Sequence, residues 1–158
     1  MKQNRQTTAL SGVADSVDGR TMRRQRNRTA VIAALLDMVR EGDLHPGAAE
    51  IAERAGVSHR SVFRYFDDLD DLVRTTIDQA FRDAEPISRI PDLGTGTLDE
   101  RVAAMIDARV ALYERVDGPM QLARMRSYTI PSIDDEIASI AEQFRGQLHD
   151  HFAPELSG

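Results

Sequence analysis

Apolar residues along this chain recur at intervals of three or four, which is the spacing of one face of an α-helix. The first such stripe spans residues 28–41, and Gly42 follows it at a position suited to ending a helix. A later stripe runs from Leu69 to Phe81 behind Asp68, which we expect to cap that helix together with Asp71. No segment shows the alternation of apolar and polar residues that is typical of a strand. The pattern therefore predicts an all-α fold, with a three-helix domain followed by a short helical second domain.

Residues 48–66 have the pattern of two short helices joined by a tight turn. Gly56 can adopt the positive φ that ends the first helix and redirects the chain. Ala52, four residues earlier, is small enough to let the two helices cross closely, and Ile51 and Val62 can close a core between them. This is the layout of a helix-turn-helix, whose second helix enters the major groove of DNA.

The second helix of this motif has polar, basic and aromatic residues on its outer face. An arginine there can form two hydrogen bonds to the O6 and N7 atoms of a guanine. The alternative is that the arginines make only phosphate contacts or surface ion pairs. The residues that we expect to contact DNA are His59, Arg60, Ser61, Phe63, Arg64 and Tyr65.

Charge is unevenly distributed along the chain, although the net charge is −6. Residues 1–66 contain eleven Lys/Arg and seven Asp/Glu, a net +4, whereas residues 67–158 contain nine and nineteen, a net −10. The basic part coincides with the helix-turn-helix. We therefore expect the basic part to face DNA. DNA should repel the acidic remainder, and this repulsion should orient the protein as it approaches.

The N-terminal residues 1–22 are polar, and we expect them to form a flexible arm. Arginines gather where this arm meets the first helix. We expect Arg24, Arg26 and Arg28 to grip phosphates or to lie in the minor groove beside the main site. The alternative is a solvated tail.

Prolines and glycines between residues 86 and 96 predict a linker. It separates a helix-turn-helix domain with a connecting helix, residues 23–85, from a helical ligand-sensing or dimerisation domain, residues 97–158. In that second domain a capping box at Thr97 begins a long helix, which we expect to end at Asp117-Gly118-Pro119. Two further helices are predicted before the chain ends.

Several side chains of the second domain could line a small-molecule pocket between helices. Methionines adapt to the shape of a ligand, and an arginine could meet an anionic group. The alternative is an ordinary helical core, which uses the same residues at the same spacing. The candidates are Met105, Arg109, Tyr113, Met120, Met125 and Tyr128.

Together these motifs resemble the DNA-binding domain of the TetR (tetracycline-repressor) family of bacterial transcription regulators. The resemblance covers residues 24–82 and rests on Ile51-Ala52, Ala55-Gly56-Val57-Ser58, Ser61-Val62-Phe63, Tyr65-Phe66 and Leu72. It implies a sequence-specific regulator of transcription, a repressor that is relieved by a small-molecule effector. Its partners would be double-stranded DNA with a palindromic operator and a second copy of the chain.

The resemblance also implies individual roles for residues of the recognition helix. His59, Arg60 and Arg64 would reach base edges, while Ser61 and Tyr65 would hold phosphates. Arg60 stands where many members have glycine, so we expect a different operator.

Two further departures from the family pattern concern phosphate contacts. Phe63 stands at a position that is usually tyrosine, so the phosphate-binding hydroxyl is absent there. Leu69 stands where the family commonly has a lysine that binds phosphate. The four aspartates around Leu69 suit a helix N-terminus, although beside DNA they would repel phosphates. These aspartates are Asp67, Asp68, Asp70 and Asp71.

Family members usually pair through their last two helices, and only about 62 residues follow the linker here. Either those helices are missing or a helix over residues 133–152 has taken over pairing. A second hypothesis is a helical interaction module that has lost DNA binding. We expect His149-Asp150-His151 to be a solvated helix end, because histidines two apart point in different directions.

Other functional classes find little support in the sequence. There is no glycine-rich phosphate loop, no metal-ligand set and no spaced catalytic triad, so we expect no enzyme, cofactor or metal. The chain has no cysteine, which suits a reducing compartment. No long apolar run is present, so we expect a cytoplasmic protein without membrane contact.

Overall fold

A computed structural model describes residues 7–156, with side chains from residue 19 onward. Over that range the chain forms seven α-helices and no strand, as the sequence predicts. No helix in this range is both long and apolar enough to cross a membrane. The helices are α1 (Thr7–Arg40), α2 (Ala48–Arg54), α3 (His59–Tyr65), α4 (Leu69–Ser88), α5 (Leu98–Ser127), α6 (Pro131–His151) and α7 (Ala153–Leu156).

The first helix is longer than its apolar stripe predicts. α1 begins at Thr7, so the segment from Thr7 to Met22, expected to be a flexible arm, is helical; residues 1–6 lie outside the described range. No proline interrupts this segment. Each residue added to an existing helix gains a hydrogen bond, and only the backbone of that one residue has to be ordered. At the other end, Gly42 has a φ of 95° directly after α1, as its position predicts.

The helix-turn-helix forms from α2 and α3 as the sequence predicts. Gly56 turns the chain between them with a φ of 68°, in the region that favours glycine. Ser58 then caps α3, because its hydroxyl accepts the Ser61 N–H at 3.2 Å. Ile51 and Val62 are buried between the two helices.

The predicted cap of α4 is also present. The Asp68 carboxylate accepts the Asp71 N–H at 2.7 Å, and the Asp71 carboxylate accepts the Asp67 N–H at 3.2 Å. At its C-terminal end α4 continues through Pro86 to Ser88. The connection to α5 is therefore shorter than the predicted linker over residues 86–96.

The prediction that Asp117-Gly118-Pro119 ends a helix is wrong. α5 is continuous from Leu98 to Ser127, with Pro119 inside it and fully buried. Proline removes one helical hydrogen bond, and here the packing of the surrounding residues outweighs that loss. A side chain on Gly118 would collide with α1, because a Cβ atom built there lies 2.8 Å from the Val39 carbonyl oxygen.

The predicted solvated end at His149-Asp150-His151 is wrong for one of its histidines. The His151 side chain is fully buried, whereas His149 is exposed. The Nδ1 atom of His151 accepts the Gly94 N–H at 3.0 Å, and its Nε2 atom pairs with the Arg101 carbonyl oxygen at 2.8 Å. These two hydrogen bonds therefore hold the α4–α5 connection and the start of α5 against the end of α6.

One apolar core joins the helix-turn-helix to the helices that follow it. Leu35 of α1, Ile51 of α2 and Ile77 of α4 are buried in the same cluster as Leu122 of α5 and Ile133 of α6. The two predicted domains therefore share a core, with α1 and α4 common to both.

We expect Gly118→Ala to destabilise the protein by about 1–3 kcal/mol, because its methyl group would overlap the main chain of Val39. Urea unfolding measures the change. Gly146→Ala, within α6 and with nothing within 4 Å of its added Cβ, is the matched control. It should stabilise the protein by up to about 1 kcal/mol, and an equal effect of both substitutions would contradict the close crossing of α1 and α5.

Candidate nucleic-acid interface and cavity

The outer face of α3 exposes two residues that are expected to contact bases, together with an aromatic side chain. His59 and Arg60 are exposed at its first turn, and Phe63 is 44% exposed. The rings of His59 and Phe63 meet edge to face, with centroids 5.0 Å apart. An exposed phenylalanine offers no hydrogen bond, but its ring can contact the methyl group of thymine.

Ser61 lies half-buried at the start of α3. Its hydroxyl lies 2.8 Å from the Ser58 hydroxyl, within the same cap that begins the helix. The Ser61 side chain is therefore held by its own helix terminus, and its predicted phosphate contact stays a prediction.

Tyr65 does not lie on the outer face of α3, contrary to the prediction from its position in the sequence. Its side chain is buried, with 8% exposure, because it completes the packing of α3 against α1. The hydroxyl accepts hydrogen bonds from Asn27 at 3.2 Å and from Arg64 at 2.8 Å. Burial raises the pKa of Tyr65, but these two hydrogen bonds and the charges of Arg64 and Arg24 together lower it below its usual value.

Arg64 is consequently directed toward α1. Its guanidinium lies 5.1 Å from the centroid of the Tyr65 ring and donates to the hydroxyl of that ring. On α1, Arg24 donates to the Arg64 carbonyl oxygen at 3.5 Å, and Arg28 stacks 4.8 Å from the centroid of Phe66. Arg26 is exposed on the same stretch of α1. Basic side chains from two helices therefore meet at the C-terminal end of α3.

The side chains of three of the four aspartates that follow α3 have structural partners. Asp68 and Asp71 form the cap of α4, and Asp71 also accepts a hydrogen bond from Arg74 at 2.6 Å. Asp70 pairs with Arg126 of α5 at 3.4 Å. The interpretation of this cluster as a helix cap is confirmed for Asp68 and Asp71.

A cavity of about 670 Å³ lies between α4, α5 and α6. Of the six candidate ligand-binding residues, Tyr113 and Met120 line this cavity and the other four lie elsewhere. Met125 packs against the main core, and Tyr128 is 93% exposed. Met105 is half-buried on α5, outside the cavity lining.

Arg109 is buried behind the cavity instead of facing it. It donates to the Ser88 carbonyl oxygen at 2.7 Å and to the Gln147 side chain at 3.3 Å. Its guanidinium also stacks 4.3 Å from the centroid of the Phe144 ring. Burial lowers the pKa of Arg109 from its usual value. Arg109 therefore joins α4, α5 and α6 at this end of the cavity.

The α4 and α6 walls of this cavity are not among the residues predicted from the sequence. Phe81 and Arg82 of α4 and Glu136 and Phe144 of α6 line it. The spacing of apolar residues along α4 and α6 shows that both helices are amphipathic. Only tertiary packing decides that one face of α4 and one face of α6 line a common space with α5.

We expect Tyr65→Phe to destabilise the protein by about 1–2 kcal/mol, because Asn27 and Arg64 lose their common acceptor. Tyr128→Phe removes a hydroxyl from a side chain that is 93% exposed, and should change stability by less than about 0.5 kcal/mol. Urea unfolding of both variants measures the difference. Equal stabilities would contradict a structural role for the Tyr65 hydroxyl.

Comparison with known protein families agrees with this geometry. The family model for bacterial regulatory proteins of the tetR family matches residues 32–76. That range contains most of the buried part of α1, all of α2 and α3, and the start of α4. Comparisons with curated proteins and with solved structures returned no match. Over the matched residues the chain has the helix-turn-helix, DNA-binding domain of the tetR family of bacterial regulatory proteins, which supports a regulator of transcription.

Proposed function

We propose that this regulator is a repressor that binds a palindromic operator as a homodimer and is released by a small molecule in the cavity between α4, α5 and α6. The observation that carries the proposal is the juxtaposition of an exposed reading face on α3 with a cavity walled by α4, the next helix along the chain. A ligand that moves α4 would also move α3.

Base recognition falls to the first turn of α3. Arg60 is exposed there and can form two hydrogen bonds to a guanine, with His59 beside it. Phe63, one turn later, suits a thymine methyl group. The bulk of Arg60 and the apolar ring of Phe63 favour an operator that differs from those of members with glycine and tyrosine there.

Phosphate contacts fall to the C-terminal end of α3 and to α1. The contact between Arg64 and Tyr65 directs that guanidinium toward Arg24, away from the first turn of α3. Arg26 is exposed and Arg28 is half-buried on the same helix. Because these arginines lie on a helix and not on a flexible arm, they suit the phosphate backbone better than the minor groove.

Ligand relief is supported by the contacts that α4 makes at both of its ends. Its C-terminal half contributes Phe81, Arg82 and Glu85 to the cavity wall. Its first turn carries Asp70, which pairs with Arg126 of α5. A ligand that separates α4 from α5 would therefore strain this ion pair and tilt α3, shifting the population away from the DNA-binding arrangement.

Dimerisation is supported by apolar side chains on α5 that this chain leaves in solvent. Ile106, Val110 and Tyr113 are 49%, 51% and 59% exposed and follow one another at helical spacing. A second copy packed on this stripe would cover it. A palindromic operator requires two reading heads about 34–36 Å apart, or a multiple of that distance.

The different roles proposed for Arg60 and Arg64 predict different defects in DNA binding. Arg60→Ala should lower affinity for operator DNA by at least about tenfold while leaving affinity for scrambled DNA almost unchanged. Arg64→Ala should weaken binding to both DNAs and lower the salt slope by about 1, as expected for one lost phosphate contact. Fluorescence anisotropy on DNA from upstream of the gene, at several salt concentrations, measures both effects.

The matched control is the double variant Arg89→Ala/Arg145→Ala, which removes two exposed, ion-paired arginines far from α3 along the chain. It should bind operator DNA like the unmodified protein. Equal losses in the control and in Arg60→Ala would contradict the assignment of base reading to α3.

Dimerisation predicts that the chain has the molar mass of two copies in light scattering, and that Val110→Glu halves that mass. A charge placed at the centre of an apolar contact is costly to bury, whereas the exposed monomer tolerates it. Glu114→Gln, on an exposed part of the same helix, is the control. A monomer that binds a full operator as tightly as the proposed dimer would contradict pairing.

A further inference from the structure

A second cavity adjoins the one between α4, α5 and α6, which is called the first cavity below. The second cavity, of about 530 Å³, lies between α6, the C-terminal end of α4 and the segment that follows α4. The residues that line both cavities are Glu85, Ser88 and Gln143. A ligand in the first cavity can therefore extend toward the second.

Arg109 lies at the junction of the two cavities. Its guanidinium donates at 2.7 Å to the carbonyl oxygen of Ser88, a residue that lines both of them. The same group stacks on Phe144, which lines the first cavity. It also donates at 3.3 Å to the side chain of Gln147, which lines the second cavity. A ligand at the junction would thus lie against the immediate neighbours of this guanidinium.

Among the residues that the structure describes, no carboxylate pairs with the positive charge of Arg109. Arg109 is only 9% exposed, and its partners are a carbonyl oxygen, an amide oxygen and an aromatic ring. A buried charge without a counter-charge is unfavourable, and for this reason burial lowers the pKa of Arg109. An anion at the junction would supply the missing counter-charge.

The hydrogen bond from Arg109 to Gln147 is the one that an anion can replace. At 3.3 Å it is longer than a usual N–H···O hydrogen bond, and its acceptor is a neutral amide. A carboxylate forms shorter and stronger bonds with a guanidinium and can bind two of its nitrogen atoms at once. A guanidinium has five N–H donors, so the bond to Ser88 can persist while a carboxylate displaces Gln147.

Two neighbouring groups at the junction are compatible with an anion. Tyr113 lies one turn beyond Arg109 on α5 and lines the first cavity, so its hydroxyl can donate to the same carboxylate. Glu85 is already engaged by Arg89, whose Nε atom donates to it at 3.0 Å.

The remaining acidic groups of the two linings lie away from Arg109 or in solvent. Asp117 follows Arg109 by eight residues on α5, which corresponds to about 12 Å along a helix. Glu136 precedes Phe144 by the same interval on α6. Asp150 is exposed at the second cavity, where water and salt screen its charge. The junction is therefore the place in this space that favours a negative charge.

We propose that the effector is an apolar organic anion, such as an arylalkyl carboxylate, whose carboxylate binds Arg109 in place of Gln147. This inference rests on the proposed function, since it names the class of effector for the same cavity. The apolar part of the ligand lies in the first cavity, whose volume of about 670 Å³ suits a drug-sized molecule. The rings of Phe81, Tyr113 and Phe144 line that cavity from three helices.

The test uses three naphthalene derivatives of similar shape: anionic 1-naphthylacetate, neutral 1-naphthylacetamide and cationic 1-naphthylmethylammonium. Because the chain contains no tryptophan, the fluorescence of the naphthalene ring reports binding to the full chain without DNA. Near neutral pH the anion should bind at least about tenfold more tightly than either analogue, as expected for hydrogen bonds between two charged groups. The proposal is overturned if the anion binds no more tightly than the neutral amide or the cation.

Removal of the charge on Arg109 locates the effect. Arg109→Met keeps an apolar contact with Phe144 and should lower affinity for the anion to that for the amide, with little change in affinity for the amide. Arg145→Met removes an exposed arginine of α6 that lines neither cavity, and should leave both affinities unchanged. A preference for the anion that persists in Arg109→Met would contradict the proposal.

Gln147→Glu tests the same contact if Arg109→Met does not fold. This substitution almost preserves the shape of the side chain and places a carboxylate beside Arg109 from within the protein. It should raise the midpoint of urea unfolding, because the buried charge gains a partner, and should abolish the preference for the anion. Gln25→Glu makes the same change of charge at an exposed position of α1 and should alter neither property. A lower midpoint or an unchanged preference in Gln147→Glu would contradict the proposal.

Addition of the same compounds to the protein–operator complex separates this inference from the proposed function. If the anion binds through Arg109 but leaves operator affinity unchanged, ligand relief by this cavity is wrong while the ligand class stands. If the amide or the cation alone releases the DNA, ligand relief stands and the ligand class is overturned. Release by the anion in the unmodified chain and in Arg145→Met, but not in Arg109→Met, supports both.

Discussion

The close crossing of α1 and α5 is the constraint on which the rest of the structure depends. Gly118 lies against the main chain of Val39, and no side chain can be inserted there without moving one helix. One turn further along α5, Leu122 is therefore buried in the same core as the helix-turn-helix. The helix-turn-helix and the helices around the cavity therefore share one apolar core.

Hydrogen bonds and an ion pair stabilise the acidic cluster that lies next to α3. Two of the aspartates after α3 satisfy the exposed N–H groups at the start of α4, and Asp70 is paired with Arg126. The charges thus stabilise the joint between α3, α4 and α5 through local bonds.

Local signals were sufficient to predict the helix-turn-helix. The turn at Gly56 and the caps at Asp68 and Thr97 depend on bonds between residues a few positions apart, and all three formed as expected. The errors arose where distant contacts override local preference. Tyr65 is buried because Asn27 satisfies its hydroxyl, and Pro119 stays helical because its surroundings are packed.

The sequence by itself determined the all-α class, the reading helix with Arg60 on its outer face, and the uneven distribution of charge, since these follow from periodicity and composition. Tertiary structure decided which side chains meet. Phe81 of α4 and Phe144 of α6 line the same cavity, although they lie far apart along the chain. His151 is buried for a similar reason, since Gly94 and Arg101 supply its hydrogen-bond partners. Such pairings depend on helix packing over long sequence distances, which no local pattern encodes.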